Sequence, residues 1–101
     1  YDISETCDEI RRTNRFDETC QVTVPQSIVC FLESTDFEQA VRLAISIGGD
    51  SDTIAAMTGS LAEAFYGIPD AIARQALACL TQEMRDVVIP FIAQRPIPLI
   101  R

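Results

Sequence analysis

The sequence contains no histidine, and this absence narrows the chemistry open to it. A zinc site is hard to assemble without histidine, and the four cysteines form no Cys-x-x-Cys pair. Their spacing is wide and irregular and no secretory signal is recognisable, so we expect reduced, mostly buried thiols in a cytoplasmic protein. The cysteines are Cys7, Cys20, Cys30 and Cys79.

The chain also has no long run of residues that are all apolar or all of one charge. No apolar run reaches the roughly 18 residues that a membrane span needs. The net charge is −7 and there is no long basic run, which argues against a nucleic-acid partner. What remains is an ordinary globular composition, with 48% hydrophobic and 23% charged residues in a chain of 101, enough for one domain at most.

Two capping boxes indicate helix starts in the first half of the chain. Thr6 with Glu9 predicts a short helix over about residues 6–12. Thr35 with Glu38 predicts the start of a second helix, whose apolar residues repeat at helical spacing up to the glycine pair.

Prolines and glycines set the other predicted boundaries. Pro25 fits the first turn of a helix that runs to about Glu33, which leaves Cys20 to Pro25 as a loop. Gly67 is expected to end the helix that begins after Thr53. That helix has an apolar stripe and many small residues, so we expect it to be buried on more than one side. Its stripe consists of Ile54, Met57, Leu61, Ala64 and Phe65.

Two further helices are predicted over residues 69–80 and 81–93. Pro69 would open the first, and Pro90 is expected to end or kink the second. The tail, residues 95–101, contains two prolines and is expected to be extended. The apolar stripes are Ala73, Ala76, Leu77 and Leu80 in the first helix and Met84, Val87, Val88 and Phe91 in the second.

The stretch from Gly48 to Thr53 carries the most distinctive chemistry. Two carboxylates and two hydroxyls follow two glycines and precede a helix. Carboxylate and hydroxyl oxygens suit Mg²⁺, the glycines permit a sharp turn and a close approach, and a helix start presents free N–H groups. The same residue types are favoured helix caps, so the residues alone favour the other interpretation, that Asp50, Ser51 or Asp52 is a plain N-cap.

The stretch from Gly48 to Pro69, GGDSDTIAAMTGSLAEAFYGIP, is similar to the C-terminal signature of the ADP-ribosylglycohydrolase family. The resemblance implies an all-α fold, a compact orthogonal helical domain around a two-metal cleft, of which residues 1–101 form the C-terminal part. Further similarity upstream lies in Phe16-Asp17 before Cys20-Gln21, Thr23 to Pro25, Phe31 to Ser34 and Asp36 to Ala40.

The resemblance also implies a role for the acidic signature. Asp50, Asp52 and Thr53 would be ligands of a Mg²⁺ pair, with Asp50 and Asp52 as catalytic residues. Gly48 and Gly49 would let the ribose or pyrophosphate of an ADP-ribose-containing substrate lie against the backbone. The ions would polarise the glycosidic bond between ADP-ribose and its acceptor and orient a water for attack.

Part of the family's metal shell has no counterpart in this sequence. The family adds a Thr-Asp-Asp type motif and a glutamate from its N-terminal half, and the nearest match, Thr35-Asp36-Phe37, lacks the second acid. We therefore expect a C-terminal fragment or an unusually short member that binds Mg²⁺ weakly and does not catalyse alone. Its uncovered apolar faces would drive self-association, or pairing with a chain that supplies the N-terminal half. The alternative is a non-catalytic helical module of the same fold.

Two other features leave a functional and a structural interpretation open. The segment Cys20 to Pro25 resembles a part of the family that lies beside the substrate pocket, but Val22 stands where bacterial members often have glycine. A role for Gln21 or Thr23 at the ligand therefore competes with a loop braced by Gln21. Tyr66 could stack on an adenine or belong to the core.

Overall fold

Six α-helices make up most of the part of the chain that the structure describes, residues 2–94 and 99–100 of a computed structural model. This confirms the all-α class. Two short strands, β1 (Ile68–Pro69) and β2 (Leu99–Ile100), pair in parallel. No helix among these residues is long and apolar enough to cross a bilayer. The helices are α1 (Cys7–Thr13), α2 (Cys20–Glu33), α3 (Phe37–Ser46), α4 (Ser51–Tyr66), α5 (Asp70–Ala78) and α6 (Gln82–Gln94).

Helix α4 is the element around which the core forms, since it packs against both α2 and α3. Helix α2 also packs against α3 and α1. One buried cluster joins the first four helices, and a second lies toward the C-terminal end of α4. The first contains Cys7, Ile10, Val29, Cys30, Ala44, Ile47 and Ile54, and the second Phe37, Ala40 and Ala62.

The predicted apolar stripe of α4 is correct only at its start, where Ile54 is buried and Met57 half-buried, and wrong from Leu61 onward. The residues that α4 buries are Ile54, Thr58 and Ala62, whereas Leu61 is 38% and Phe65 74% exposed. Small side chains on the buried stripe let α4 approach its neighbours closely. Thr58 is polar but can be buried in this contact, because its hydroxyl donates a 2.9 Å hydrogen bond to a backbone carbonyl of α2.

Helix α2 begins five residues before the predicted start, so the Cys20 to Pro25 segment is helical and the loop prediction is wrong. The carbonyl of Thr19 accepts the first helical bond, from the backbone N–H of Thr23 at 2.9 Å. Pro25 then lies inside the helix, where its ring removes one donor. Hydroxyl groups of α2 use carbonyls near this break: Thr23 Oγ1 donates to Thr19 and Ser27 Oγ to the carbonyl of the preceding turn.

One of the two predicted capping boxes is confirmed. The Thr6 hydroxyl accepts from the Glu9 backbone N–H at 3.2 Å and begins α1. The second box is displaced by one residue, because Asp36 caps α3 and accepts from the Gln39 N–H at 2.7 Å. Thr35 instead donates its hydroxyl to the Gln39 side chain at 2.7 Å. An aspartate oxygen, being charged, is the stronger acceptor at such a position.

Helices α5 and α6 contain no fully buried residue. Helix α6 continues through Pro90 to Gln94, so Pro90 does not end the helix; the alternative, a kink, stays a prediction. Pro90 is exposed, and the carbonyl that it leaves without a donor can be hydrated. Of the predicted extended tail, residues 95–98 and 101 lie outside the described residues. The large apolar side chains that α6 exposes are Met84, Val87, Ile89 and Phe91.

All four cysteines are free thiols, but only half of them are buried. Cys7 of α1 and Cys30 of α2 lie in the first core cluster, with their Sγ atoms 3.8 Å apart. Burial raises the pKa of both thiols. Cys20 and Cys79 are exposed, which corrects the prediction that the thiols are mostly buried.

This division predicts the outcome of alkylation. Iodoacetamide at pH 8 should modify Cys20 and Cys79 rapidly and leave Cys7 and Cys30 intact, because buried, protonated thiols are poor nucleophiles. Intact-protein mass spectrometry should show two additions in buffer and four in concentrated urea. Rapid modification of Cys7 in buffer would mean that α1 does not pack on α2 as described.

Candidate functional site

A turn of two glycines connects α3 to α4. Gly48 has φ +78° and Gly49 φ +76°, both in the left-handed region that glycine adopts without strain. The Gly48 N–H donates to the Ile45 carbonyl at 3.3 Å, and the Ser51 N–H donates to the Gly49 carbonyl at 2.9 Å. The chain therefore reverses sharply, and the predicted glycine turn is present.

Asp50 and Asp52 lie together at the start of α4. Asp50 occupies the N-cap position, but its carboxylate makes no cap hydrogen bond, so the plain capping interpretation fails for this side chain. A side-chain hydrogen bond with Asp50, followed by the Thr53 backbone N–H at 3.0 Å, lowers the pKa of the Asp52 carboxyl. Nearby carboxylates repel each other, and a bound cation relieves that repulsion.

The donor set at this turn suits a hard cation but is small. Asp50 is half-buried, and Asp52 and Thr53 are exposed on the first turn of α4. Two carboxylates and one hydroxyl are ligands that Mg²⁺ accepts. Within residues 2–94 and 99–100, however, no group of three or more His, Cys, Asp or Glu side chains converges. Other ligands would have to complete a metal shell.

Side chains from the end of α1 hold the last carbonyls of α3. Asn14 Nδ2 donates to the Ile47 carbonyl at 2.9 Å, and Asn14 Oδ1 accepts from Gln26 Nε2 at 3.1 Å. Arg11 donates from Nε to the Ser46 carbonyl at 3.2 Å. The sequence predicts no contact for either residue. No local pattern could have revealed the contacts, because their partners lie more than 30 positions away in the chain.

Comparison with known proteins identifies the family of this chain. The sequence profile described as ADP-ribosylglycohydrolase matches residues 3–97. The chain belongs to the ADP-ribosylglycohydrolase family. Over 77 residues it is 32% identical to the ADP-ribosylhydrolase ARH3 of Bos taurus and 31% identical to that of Homo sapiens, in matches that cover 65% of this chain. The ARH3 of Mus musculus is likewise 32% identical over 77 residues.

The chain spans only 21% of the length of these ARH3 relatives. No solved structure matches it. Membership of the ADP-ribosylglycohydrolase family thus rests on the sequence matches.

The segment that resembles the family's pocket wall is the first part of α2. Thr23 is 1% exposed and its hydroxyl donates to the Thr19 carbonyl at 3.0 Å, so it cannot contact a ligand in this conformation. Gln21 is exposed and lines a cavity of about 280 Å³. The Gly48 to Thr53 stretch does not line this cavity, whose other lining residues are Asp2, Glu5, Ile10, Val22, Pro25, Gln26 and Val29.

Tyr66 is part of the core. Its hydroxyl donates to the Ser34 carbonyl at 2.8 Å and therefore ties the end of α4 to the end of α2. Its ring packs against Phe65 at 5.0 Å and Phe31 at 5.9 Å between centroids. These contacts support the core interpretation over stacking on an adenine.

Proposed function

We propose that this chain contributes one side of a Mg²⁺-dependent site that hydrolyses the glycosidic bond between ADP-ribose and an acceptor. The observation that carries the proposal is the arrangement of Asp50 and Asp52. Asp50 stands at a helix N-cap without capping it, and Asp52 follows two residues later in the first turn of the same helix. A purely structural N-cap would use its side-chain oxygen on the helix, whereas the Asp50 carboxylate makes no such bond and is open to another ligand.

In this proposal Asp50, Asp52 and the Thr53 hydroxyl hold the cation. Bound Mg²⁺ would supply a Lewis acid for the ribose oxygens and an oriented water. The carboxylates add negative charge that stabilises positive charge at the anomeric carbon as the bond to the acceptor breaks. Gly48 offers the approach for the substrate, because an added Cβ there would meet no atom within 4 Å.

A second function has its own support, namely a non-catalytic helical module that has kept the family fold. The described residues bring together only two acidic side chains at the turn, and they contain no cluster of three potential metal ligands. A two-metal site needs more protein ligands than this. The same chain could therefore serve as a binding or structural module, with the chemistry supplied elsewhere.

A calorimetric titration of the 101-residue chain with Mg²⁺ and ADP-ribose tests the proposal. We expect Mg²⁺ to increase the affinity for ADP-ribose, and Asp52→Asn to weaken Mg²⁺ binding by about tenfold or more, because charge count sets the affinity of such sites. Asp86→Asn on the exposed surface of α6 removes the same charge and should change neither affinity.

The possible outcomes separate the two functions. Linked, saturable binding that only the Asp52 variant loses supports the hydrolase site. A folded chain that binds neither ligand favours the helical module. Equal losses in the Asp52 and Asp86 variants would reduce the effect to general surface charge and contradict the proposed site.

A further inference from the structure

We propose that Asn14 is a positioning residue, which holds the Gly48–Gly49 turn and thereby sets the direction of Asp50 and Asp52. The expected effect of Asn14 on cation binding rests on the proposed function. The effect of Asn14 on the turn rests only on contacts between the described residues.

The Asn14 side chain is hydrogen-bonded to two other segments of the chain and to the residue that follows it. It follows α1 directly with extended backbone angles, φ −68° and ψ 142°, and is half-buried. Its Nδ2 donates to the Ile47 carbonyl, and its Oδ1 accepts from the Gln26 side chain and from the Arg15 backbone N–H at 3.1 Å each. The amide is therefore fixed in orientation by partners on both of its ends.

The carbonyl that Asn14 binds is one that the helix cannot satisfy. The last carbonyls of an α-helix have no intrahelical donor, and Ile47 follows the final residue of α3. The Ile47 side chain is 1% exposed and anchored in the core. Core packing on one side and the Asn14 amide on the other thus fix the residue that enters the turn.

Gly49 shows how closely Asn14 approaches the turn. A Cβ built on Gly49 would lie 2.9 Å from Asn14 Nδ2, whereas one on Gly48 would meet nothing within 4 Å. Glycine at position 49 is thus required by the contact as well as by its φ. Asp50 comes next in the chain, and no cap bond to α4 holds its carboxylate, so the backbone of the turn sets the position from which this side chain extends.

Helix α1, which Asn14 follows, is anchored to α2. The backbone N–H of Cys7, in the first turn of α1, donates to Glu33 Oε2 of α2 at 2.7 Å. Cys7 and Ile10 are buried against α2, and Gln26 of α2 donates to Asn14. The end of α1 therefore has a fixed place relative to the helices that carry the turn, as a positioning residue requires.

Two variants and one control test the inference. Asn14→Asp keeps the shape and the acceptor for Gln26 but removes the donor to Ile47, and Asn14→Ala removes both. Amide hydrogen exchange at Gly48 and Ser51, both hydrogen-bonded within the turn, should become about five- to tenfold faster in each variant. Mg²⁺ affinity of the Asn14→Ala variant should fall about 10- to 100-fold, as for other residues that orient metal ligands. Thr13→Ala, an exposed neighbour, should change neither quantity.

The two readouts fail independently. If the wild-type chain binds no Mg²⁺, the proposed function fails, while the exchange rates still report on Asn14. Unchanged exchange at Gly48 and Ser51 in the folded Asn14 variants would overturn the inference. Should both variants unfold, Gln26→Ala provides the milder measurement, because it removes only the brace behind Asn14: faster exchange at the same amides supports the inference, and unchanged exchange overturns it.

Discussion

Replacement of Gly49 by alanine is expected to lower the free energy of unfolding by about 2–4 kcal/mol. Two effects add. Alanine at φ +76° carries the strain of the left-handed region, about 1–2 kcal/mol. Its Cβ would also lie 2.9 Å from Asn14 Nδ2, so that the Asn14 amide must move and its bond to the Ile47 carbonyl weakens.

Gly48→Ala is the matched control for this prediction. Gly48 has nearly the same backbone angle, φ +78°, but a Cβ there meets nothing within 4 Å. We expect it to show the strain alone, about 1–2 kcal/mol. Urea unfolding followed by circular dichroism measures both variants. Equal losses would show that the close approach of Asn14 has no energetic weight.

The double variant Gly49→Ala with Asn14→Ala isolates the contact. Removing the Asn14 side chain also removes the atom that the new Cβ would meet, so the two effects should not add. We expect the double variant to lose about 1 kcal/mol less than the sum of the single losses, in the range of measured interaction energies between neighbouring residues.

The positions of the helices follow from local signals, and the errors arise where tertiary contacts decide. Thr6 predicts the start of α1 correctly because an N-cap is a local interaction. The Pro25 boundary is wrong because Pro25 costs α2 one backbone donor, while the buried side chains around it, Thr23, Ser27 and Val29, hold the helix to its neighbours. A propensity rule weighs the missing donor but not these neighbouring side chains.

In the candidate site, too, a local motif reveals some residues and misses others. The glycine pair, Asp50 and Asp52 are adjacent in sequence, so a local motif reveals them together. Asn14 contacts the same turn from 33 positions away, and no periodicity links it to Ile47. The residues that orient a site are thus harder to find in one sequence than the residues that form it, because their partners are chosen by the fold.

The stripe of α4 shows how packing overrides size. Larger apolar residues define the predicted stripe, whereas the helix buries the side that carries Thr58 and Ala62. Small residues give a shorter distance between helices and more contact per unit length. Leu61 remains 38% exposed, and Phe65 is 74% exposed although its ring packs on that of Phe31 in α2, with 5.7 Å between the ring centroids.

Truncation of Ile54 to alanine should therefore be far more damaging than truncation of Leu61. Ile54 is 1% exposed in the cluster that joins the first four helices, and its removal leaves a cavity, for which losses of about 2–5 kcal/mol are typical. Leu61 is 38% exposed, and its truncation should lower the free energy of unfolding by less than about 1 kcal/mol. Urea unfolding compares the two variants directly.

The Ile54 variant also bears on the candidate site. Its backbone N–H donates to the Asp50 carbonyl at 3.0 Å, and its side chain anchors the turn of α4 that carries Asp52 and Thr53. A chain that still folds after Ile54→Ala should hold Mg²⁺ more weakly than the Leu61→Ala chain, because the first turn of α4 is no longer fixed to the core. Losses of stability in the reverse order would contradict the packing of α4 in which Ile54 is buried and Leu61 is exposed.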